Sequence, residues 1–242
     1  MIALLSDIHS NLYALEAVLN DMPKVSAVYV LGDTIGGANP FPCEVLDRLM
    51  SLDVPVHAVL GNWEDWMLRN RHSITPEQRT ISKHRLAIRT MEALEERHWT
   101  FLQGLDASMR IDDVLIFHGR PENLAGYIGT NNQDEAEELV KSHDAKWLIG
   151  GHTHRARLFR VGSQTIINVG SVGLNCDMIG NTACYALLDG DNVVFRHVSY
   201  DVELAIRAIE DSEFYALDNL TALGTIIVMR SGNYDLLKQL KE

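Results

Sequence analysis

Five short and almost wholly apolar segments in the first 150 residues are each followed at once by polar residues of a few recurring types. The segments cover residues 2–5, 27–31, 56–60, 114–117 and 147–149, and their composition predicts strands that are covered on both faces. Amphipathic stretches at residues 12–19, 43–50 and 133–140 predict helices between them. This alternation is typical of an α/β fold with a largely parallel sheet.

The pattern changes beyond residue 155. Residues 157–161, 165–169, 184–188 and 193–198 predict antiparallel strands, and Gly190-Asp191-Asn192 predicts a turn between the last two.

Two stretches outside this frame predict helices. A long helical insert is expected between residues 62 and 112, starting at the capping box Thr75-Pro76-Glu77-Gln78. From residue 201 onward we expect one or two more helices, with breaks at Gly224 and Gly232.

Length and charge restrict the class of protein. A chain of 242 residues favours one domain, and a net charge of −12 disfavours binding to long nucleic acid. A small phosphorylated substrate remains compatible with this charge if some carboxylates bind metal cations. Three cysteines without metal-type spacing predict reduced thiols. Because there is no basic leader and no apolar run of bilayer length, we expect a cytoplasmic protein without a membrane partner.

The residues that follow the predicted strands include seven side chains of metal-ligand type. In open α/β sheets the ligand binds beyond the carboxyl ends of the strands, so these side chains should converge on one site. Carboxylate, imidazole and amide groups without a thiolate suit Mn, Fe, Zn or Ni. The seven are Asp7, His9, Asp33, Asn62, His118, His152 and His154.

Seven ligands are too many for one tetrahedral ion and suit two ions that share a carboxylate and a water. Such a pair clamps the attacking and leaving oxygens of an in-line phosphoryl displacement. Taken singly, each residue could instead be a helix cap, a turn residue or a hydrogen-bonded core histidine. Their placement at five successive strand ends favours a metal centre. By contrast, we expect Asn11 to cap a helix and Glu64 to cap a helix or orient a ligand.

These residues form ordered motifs that resemble a known family. The motifs are Asp7-x-His9, Gly32-Asp33, Gly61-Asn62-x-Glu64, His118-Gly119, Gly151-His152-x-His154 and Asn168-x-Gly170-Ser171. In this order they resemble the calcineurin-like metallophosphoesterases, and among these the small prokaryotic, phosphodiesterase-like branch. The resemblance implies an α/β fold, a four-layer α-β-β-α sandwich of two mixed sheets. The resemblance covers about residues 1–200. Together with the helical stretches described above, it leads us to expect a single domain of residues 1–242, with a helical insert at about residues 64–105 and C-terminal helices at about residues 201–242.

The resemblance also implies roles for the individual residues. Asp7, His9 and His154 would hold the first metal, while Asn62, His118 and His152 would hold the second and Asp33 would bridge the two. Asn62, His118 and Asp33 would take part in catalysis. Of the two divalent ions, Mn is the expected activator, with Fe, Ni, Zn or Mg as alternatives.

The chain departs from the family at Trp63, where many members carry a histidine that is taken to protonate the leaving group. An indole N–H does not titrate near neutrality, so Trp63 cannot act as a general acid. Hydrolysis of alkyl monoesters should therefore be poor, while the missing proton donor should slow the hydrolysis of phosphoanhydrides and of diesters with good leaving groups less. As substrate contacts we expect Trp63, which could stack on a base, and Arg120 and Arg155, which could bind phosphate oxygens.

The sequence therefore predicts a dinuclear metal-dependent phosphoesterase. It would use a metal-bridged hydroxide to cleave phosphodiester or activated phosphomonoester bonds of a small, nucleotide-like substrate. A dinucleoside polyphosphate hydrolase and a non-catalytic metal-binding scaffold on the same fold remain as alternatives. The C-terminal helices could pack on their own domain or on a second copy of the chain, which leaves a homo-oligomer open. The basic residues of the insert either attract an anionic substrate or form a solvated helix face.

Overall fold

The computed structural model describes residues 1–126 and 133–236. Ten strands within these residues form two five-stranded sheets. They are β1 (Ile2–Leu5), β2 (Val28–Leu31), β3 (Val56–Val59), β4 (Ser108–Ile111), β5 (Val114–Phe117), β6 (Trp147–Gly150), β7 (Ala156–Val161), β8 (Gln164–Val169), β9 (Thr182–Asp189) and β10 (Asn192–Ser199). All nine strands predicted from the sequence are present, with ends that differ by at most two residues.

Both sheets combine a parallel centre with antiparallel edges. The first sheet has the order β10-β9-β1-β2-β3, in which β1, β2 and β3 are parallel and β9 pairs antiparallel with β1. The second has the order β4-β5-β6-β8-β7, with β5, β6 and β8 parallel and an antiparallel strand at each edge. The prediction of two mixed sheets is confirmed.

Nine helices flank the sheets in the described part of the chain. They are α1 (Leu12–Asp21), α2 (Pro42–Met50), α3 (Asn62–Asn70), α4 (Ser82–Ala93), α5 (Glu96–Gln103), α6 (Gln133–Ser142), α7 (Val202–Glu210), α8 (Glu213–Leu217) and α9 (Asn219–Ser231).

The layers follow from the alternation of side chains along each strand. In β1, Leu4 points between the sheets, where it joins a buried cluster with Ile149 of the second sheet. Its neighbour Leu5 points outward and packs with Leu15 of α1. On the outer face of the second sheet, strand residues pack against α6 through Leu139. The four-layer α-β-β-α sandwich is therefore confirmed.

The insert consists of α3, α4 and α5, and it differs from the prediction in two places. The capping box forms, because Gln78 Oε1 accepts from the Thr75 N–H (2.7 Å) and Thr75 Oγ1 accepts from the Gln78 N–H (3.3 Å). It starts only a 3₁₀ turn, Gln78–Thr80, and helix α4 begins anew at Ser82. The second difference is β4, which forms in the last part of the stretch predicted to be helical because it pairs with β5.

The C-terminal helices α7, α8 and α9 follow β10. Gly232 ends α9 in a left-handed conformation with φ +65°, as predicted. The predicted break at Gly224 is wrong, because α9 runs through this buried residue. A helical glycine costs about 1 kcal/mol relative to alanine, and the packing of Ala222 and Ile226 against α7 offsets this cost. The predicted helix around residues 236–240 lies largely outside the described residues.

None of the helices in the described part of the chain combines the length and the apolar character that crossing a bilayer requires.

Candidate metal centre and substrate cleft

The strand ends bring all seven predicted ligands to one site. Six of them form two groups whose ligand atoms lie within 4.8 Å of one another, Asp7 with His9 and His154, and Asp33 with His118 and His152. The seventh, Asn62, places its Oδ1 3.2 Å from Nε2 of His118.

The two groups are contiguous. Asp33 Oδ2 lies 3.2 Å from His118 Nε2 and 3.8 Å from His9 Nε2, and so faces both groups. On the other side, Asp7 Oδ1 lies 3.2 Å from His154 Nε2 and 3.9 Å from His118 Nε2. Ligands bound tetrahedrally to a divalent ion are about 3.3 to 3.6 Å apart, which is close to the shorter of these separations.

The histidines are oriented by the main chain. His118 Nδ1 lies 2.7 Å from the carbonyl oxygen of Leu31, and His154 Nδ1 lies 3.0 Å from that of Leu174. A carbonyl oxygen only accepts hydrogen bonds, so each Nδ1 carries the proton and donates it. Both Nε2 atoms are therefore free to present a lone pair to the centre of the site, which is how backbone contacts commonly prepare histidine for a metal.

Two side-chain oxygens at the centre have no hydrogen-bond donor, and a cation would satisfy them. The Oδ1 of Asp7 is buried and has no hydrogen-bond partner among the described residues. The Oδ1 of Asn62 faces only acceptors. Because a buried acceptor without a donor is costly, cations between these oxygens and the imidazole nitrogens would satisfy the set.

Sharp backbone turns aim the ligands. Five of the seven have a left-handed φ between 48° and 68°, which non-glycine residues adopt at a cost of about 1 to 2 kcal/mol. They are Asp7, His9, Asp33, His152 and His154. Such strain is kept where the surrounding structure enforces it, and it is concentrated at functional sites.

Glu64 connects the ends of β2 and β3 and is not itself one of the predicted metal ligands. Its buried carboxylate accepts hydrogen bonds from the N–H groups of Asp33 and Gly61 through Oε2 and of Ile35 through Oε1, at 2.9 to 3.0 Å. Burial and the neighbouring charge of Asp33 raise the pKa of Glu64 to about 7. Glu64 therefore caps α3 through the Gly61 N–H and also holds the backbone of Asp33, a predicted ligand.

Three further polar side chains near the site have defined hydrogen bonds. Asn11 caps α1 by accepting from the Ala14 N–H (3.1 Å). Asn168 donates to the Oγ1 of Thr153 (2.9 Å), and the Ser171 hydroxyl donates to the carbonyl of Asp7 (2.8 Å). The Asn-x-Gly-Ser motif therefore braces two of the ligand-bearing turns.

The charges at the site explain how it behaves without metal. Burial alone would raise the pKa of Asp7, but the imidazoles of His154 and His118 outweigh burial and hold this pKa well below its usual range. For His118, burial is outweighed by the carboxylates of Asp33 and Asp7, which raise its pKa to about 9. Protons and metal ions therefore compete for the same imidazole nitrogens.

A cavity of about 480 Å³ opens onto the centre. Of the predicted substrate contacts, Trp63 and Arg155 border it, and the Arg155 guanidinium lies 3.5 Å from a carboxylate oxygen of Asp235. Arg120 does not border it within the described residues; its guanidinium instead forms ion pairs with Glu122 (3.1 Å) and Glu138 (3.4 Å).

The insert's arginines are largely neutralised by neighbouring carboxylates. Arg71 pairs with Glu96 at 2.7 Å, and Arg89 pairs with Glu213 at 2.8 Å. These contacts favour a scaffold role for the insert over attraction of the substrate.

Sequence reasoning missed part of the cavity wall. Thr221, Thr225 and Tyr234 border the cavity and come from the C-terminal helix and the turn after it. No motif or periodicity marked them, because they reach the site only through long-range packing.

A third group of ligand-type side chains lies outside the site. Asp177, Cys184 and His197 are close together, but Asp177 is already paired with His197 at 2.9 Å and faces Arg157 at 3.7 Å. We assign no metal to this group.

A four-layer sandwich with carboxylates and imidazoles gathered at the carboxyl ends of its strands defines a metallophosphoesterase. Residues 1–193 match the calcineurin-like phosphoesterase superfamily domain, and the chain belongs to this superfamily. It is therefore a phosphoric ester hydrolase of a metal-dependent family.

The chain is also similar to individual proteins in structure or in sequence. A metallophosphoesterase from Sphaerobacter thermophilus has a similar structure, with 26% identity, a TM-score of 0.79 and coverage of 94% of this chain and 99% of that one. The hypothetical protein PH1004 from Pyrococcus horikoshii OT3 shares the fold, with 18% identity, a TM-score of 0.80 and coverage of 96% and 99%. The uncharacterized protein MJ0912 from Methanocaldococcus jannaschii is 28% identical over 236 residues, covering 86% of this chain and 91% of that protein.

Proposed function

We propose that this protein is a dinuclear metal-dependent phosphoesterase that hydrolyses diester or activated monoester bonds of a small, nucleotide-like substrate. The observation that carries the proposal is the position of Asp33, whose Oδ2 faces His118 at 3.2 Å and His9 at 3.8 Å. A carboxylate that faces both ligand groups is suited to bridge two cations.

The residues would divide the work as follows. Asp7, His9 and His154 would hold one ion, Asn62, His118 and His152 would hold the other, and Asp33 would contact both. When bound, the two ions, with Mn²⁺ as the expected activator, would supply Lewis-acid activation of a water molecule and of the phosphoryl group. Asn62 lies where its amide can also orient a phosphoryl oxygen.

The cleft favours substrates whose leaving group needs no proton. Trp63 borders the cavity and has only a non-titrating N–H donor. Arg155, also on the cavity wall, offers a guanidinium that can pair with phosphate oxygens. These features support phosphodiesters and phosphoanhydrides over alkyl monoesters.

The proposal is tested on metal-stripped protein to which Mn, Ni, Mg or Zn is added. We expect about two ions per chain by elemental analysis and hydrolysis of bis(p-nitrophenyl) phosphate. Asp33→Asn should lower both the metal content and the rate, while Asp53→Asn, at a distant position, should change neither. A folded protein that binds one ion or none, or that cleaves no phosphorus ester with any metal, would contradict the proposal.

The alternatives are separated by further measurements. Product analysis with dinucleoside polyphosphates distinguishes cleavage of an anhydride from cleavage of an ester. A non-catalytic scaffold would bind metal without turnover on any of these substrates.

A further inference from the structure

We propose that the C-terminal helix α9 and the turn after it form a binding wall for the organic group of the substrate. Tyr234 would provide, together with Trp63, an aromatic subsite for a planar base. This inference rests on the proposed function and names the class of substrate, namely phosphate esters that carry a nucleobase or a similar planar ring.

The wall is attached directly to the metal centre. Leu174 packs against the buried cluster that contains Ala222 and Ile226 of α9, and its carbonyl accepts the hydrogen bond from His154. Two residues further on, the Cys176 N–H donates to the carbonyl of His154 at 2.9 Å. The loop between β8 and β9 therefore contacts a predicted metal ligand on one side and α9 on the other.

The contact between this loop and α9 is a main-chain contact. The Met178 N–H donates to the carbonyl of Gly232 at 2.9 Å, and the Asn181 N–H donates to the carbonyl of Met229 at 2.8 Å. A Cβ built on Gly180 would lie 1.9 Å from the carbonyl oxygen of Arg230, so only glycine permits this approach. The position of the wall relative to the metal centre is thus set by the backbone.

The side chains on the wall have the chemistry of a subsite. Tyr234 is 53% exposed and borders the same cavity as Trp63 and Thr225. The adjacent Asp235 pairs with Arg155, so the C-terminal turn also positions the guanidinium of Arg155, the residue that follows His154. At about 480 Å³, the cavity falls within the range of small-molecule sites, about 300 to 1,000 Å³.

Aromatic side chains bind bases by stacking, which tolerates any base because each has a π face. A tyrosine exposed at a cavity that already contains a tryptophan therefore indicates recognition of a ring rather than of an aliphatic alcohol. The matched family domain ends at residue 193, before α9 and the turn after it.

Two diesters with the same leaving group test the inference. The p-nitrophenyl ester of thymidine 5′-phosphate carries a base, and methyl p-nitrophenyl phosphate does not. In the Mn-loaded enzyme we expect kcat/KM to be at least about tenfold higher for the nucleoside ester, the size of one stacked base. Tyr234→Ala should remove most of this preference by raising KM for the nucleoside ester, and Tyr234→Phe should retain the preference.

A binding measurement keeps the inference separate from the proposed function. Calorimetry with the Mn-loaded protein compares the affinity for AMP with that for ribose 5-phosphate. We expect AMP to bind about tenfold more tightly, and we expect Tyr234→Ala to lose this difference. Leu223→Ala, an exposed position on the same helix that does not border the cavity, is the matched control and should behave like the wild type.

Each outcome decides one of the two claims. Equal affinity for AMP and ribose 5-phosphate in the wild type, or a preference that survives Tyr234→Ala, would overturn the aromatic subsite. Absence of hydrolysis of both diesters, with the AMP preference intact, would overturn the proposed hydrolysis and leave the subsite standing.

Discussion

The indole of Trp63 is held close to the metal centre by a glycine turn. A Cβ built on Gly36, whose φ is +98°, would lie 2.6 Å from two ring atoms, so only glycine leaves room for the ring. The ring meets His9 edge-on, with centroids 6.4 Å apart. Trp63 therefore lies against His9, a predicted metal ligand, and borders the cavity.

Trp63→His should raise the turnover of alkyl phosphomonoesters. Imidazole titrates near neutrality and can protonate a poor leaving group, an effect typically worth about 10² to 10⁴ in rate. We expect at least about a tenfold increase in kcat on an alkyl monoester in the Mn-loaded enzyme, and little change on p-nitrophenyl phosphate. Steady-state kinetics on both substrates measure this.

Trp63→Phe is the control for that variant, because it removes the indole without adding a titratable group and should give no gain. An unchanged or lower monoesterase rate in Trp63→His would show that proton donation at this position does not limit turnover.

That the predicted metal ligands meet at one site could be foreseen from the sequence, because their positions follow from a rule about sheets. Asp7, Asp33 and His118 each follow a buried parallel strand, and parallel strands end at the same edge. The supports at Leu31 and Leu174 could not be predicted, because the atoms that bind are main-chain carbonyls, which any residue carries. The ion pair of Arg120 with Glu138 was equally hidden, since it joins a residue that follows β5 to a residue of α6.

At the level of elements, the contact between the β8–β9 loop and α9 leaves no room for a larger residue at Gly180. Gly180→Ala would bring a methyl group against the backbone of Arg230, so the loop and the helix must separate. Overpacking of this kind costs about 1 to 3 kcal/mol. Urea unfolding should show a loss of stability in that range, accompanied by a higher KM for the nucleoside diester.

Gly104→Ala is the matched control, because its Cβ would meet its nearest neighbour at 3.4 Å, an ordinary contact. Its unfolding free energy should stay within about 0.5 kcal/mol of the wild type. If Gly180→Ala behaved in the same way, the loop and the helix would be less tightly coupled than the structure indicates.

Local signals and tertiary packing disagree at two elements, and packing decides both. The Thr75–Gln78 capping box forms with its expected hydrogen bonds, yet the helix it should start stops after one 3₁₀ turn. Gly224, a helix breaker by propensity, lies in the middle of α9. The strands, in contrast, were predictable because their apolar runs report burial on both faces directly.

At the scale of the whole molecule, metal binding should contribute to stability. Each sheet supplies ligands, Asp7 and Asp33 from the first, His118 and His152 from the second, so ions at the centre would connect the two sheets. A ligand that binds only the folded state at one hundred times its Kd stabilises it by about 2.7 kcal/mol. For a chain of this size, about 2 to 4 °C per kcal/mol gives a rise in Tm of about 5 to 10 °C.

Calorimetric melting with and without Mn, Ni, Zn or Mg measures this rise. Asp33→Asn should reduce it, whereas His197→Asn, in the paired group outside the site, should leave it unchanged. A melting temperature that none of the four metals alters would show that the site does not bind metal. A rise that His197→Asn abolishes would show that the metal binds outside the site.

The use of main-chain carbonyls to orient His118 and His154 has an evolutionary consequence. No substitution at Leu31 or Leu174 can delete the acceptor, since the acceptor is not part of the side chain. Sequences can therefore drift at these positions without losing the alignment of the imidazoles. This tolerance is consistent with a shared architecture at 18% identity, and it means that in distant homologues the anchors must be sought in coordinates and not in alignments.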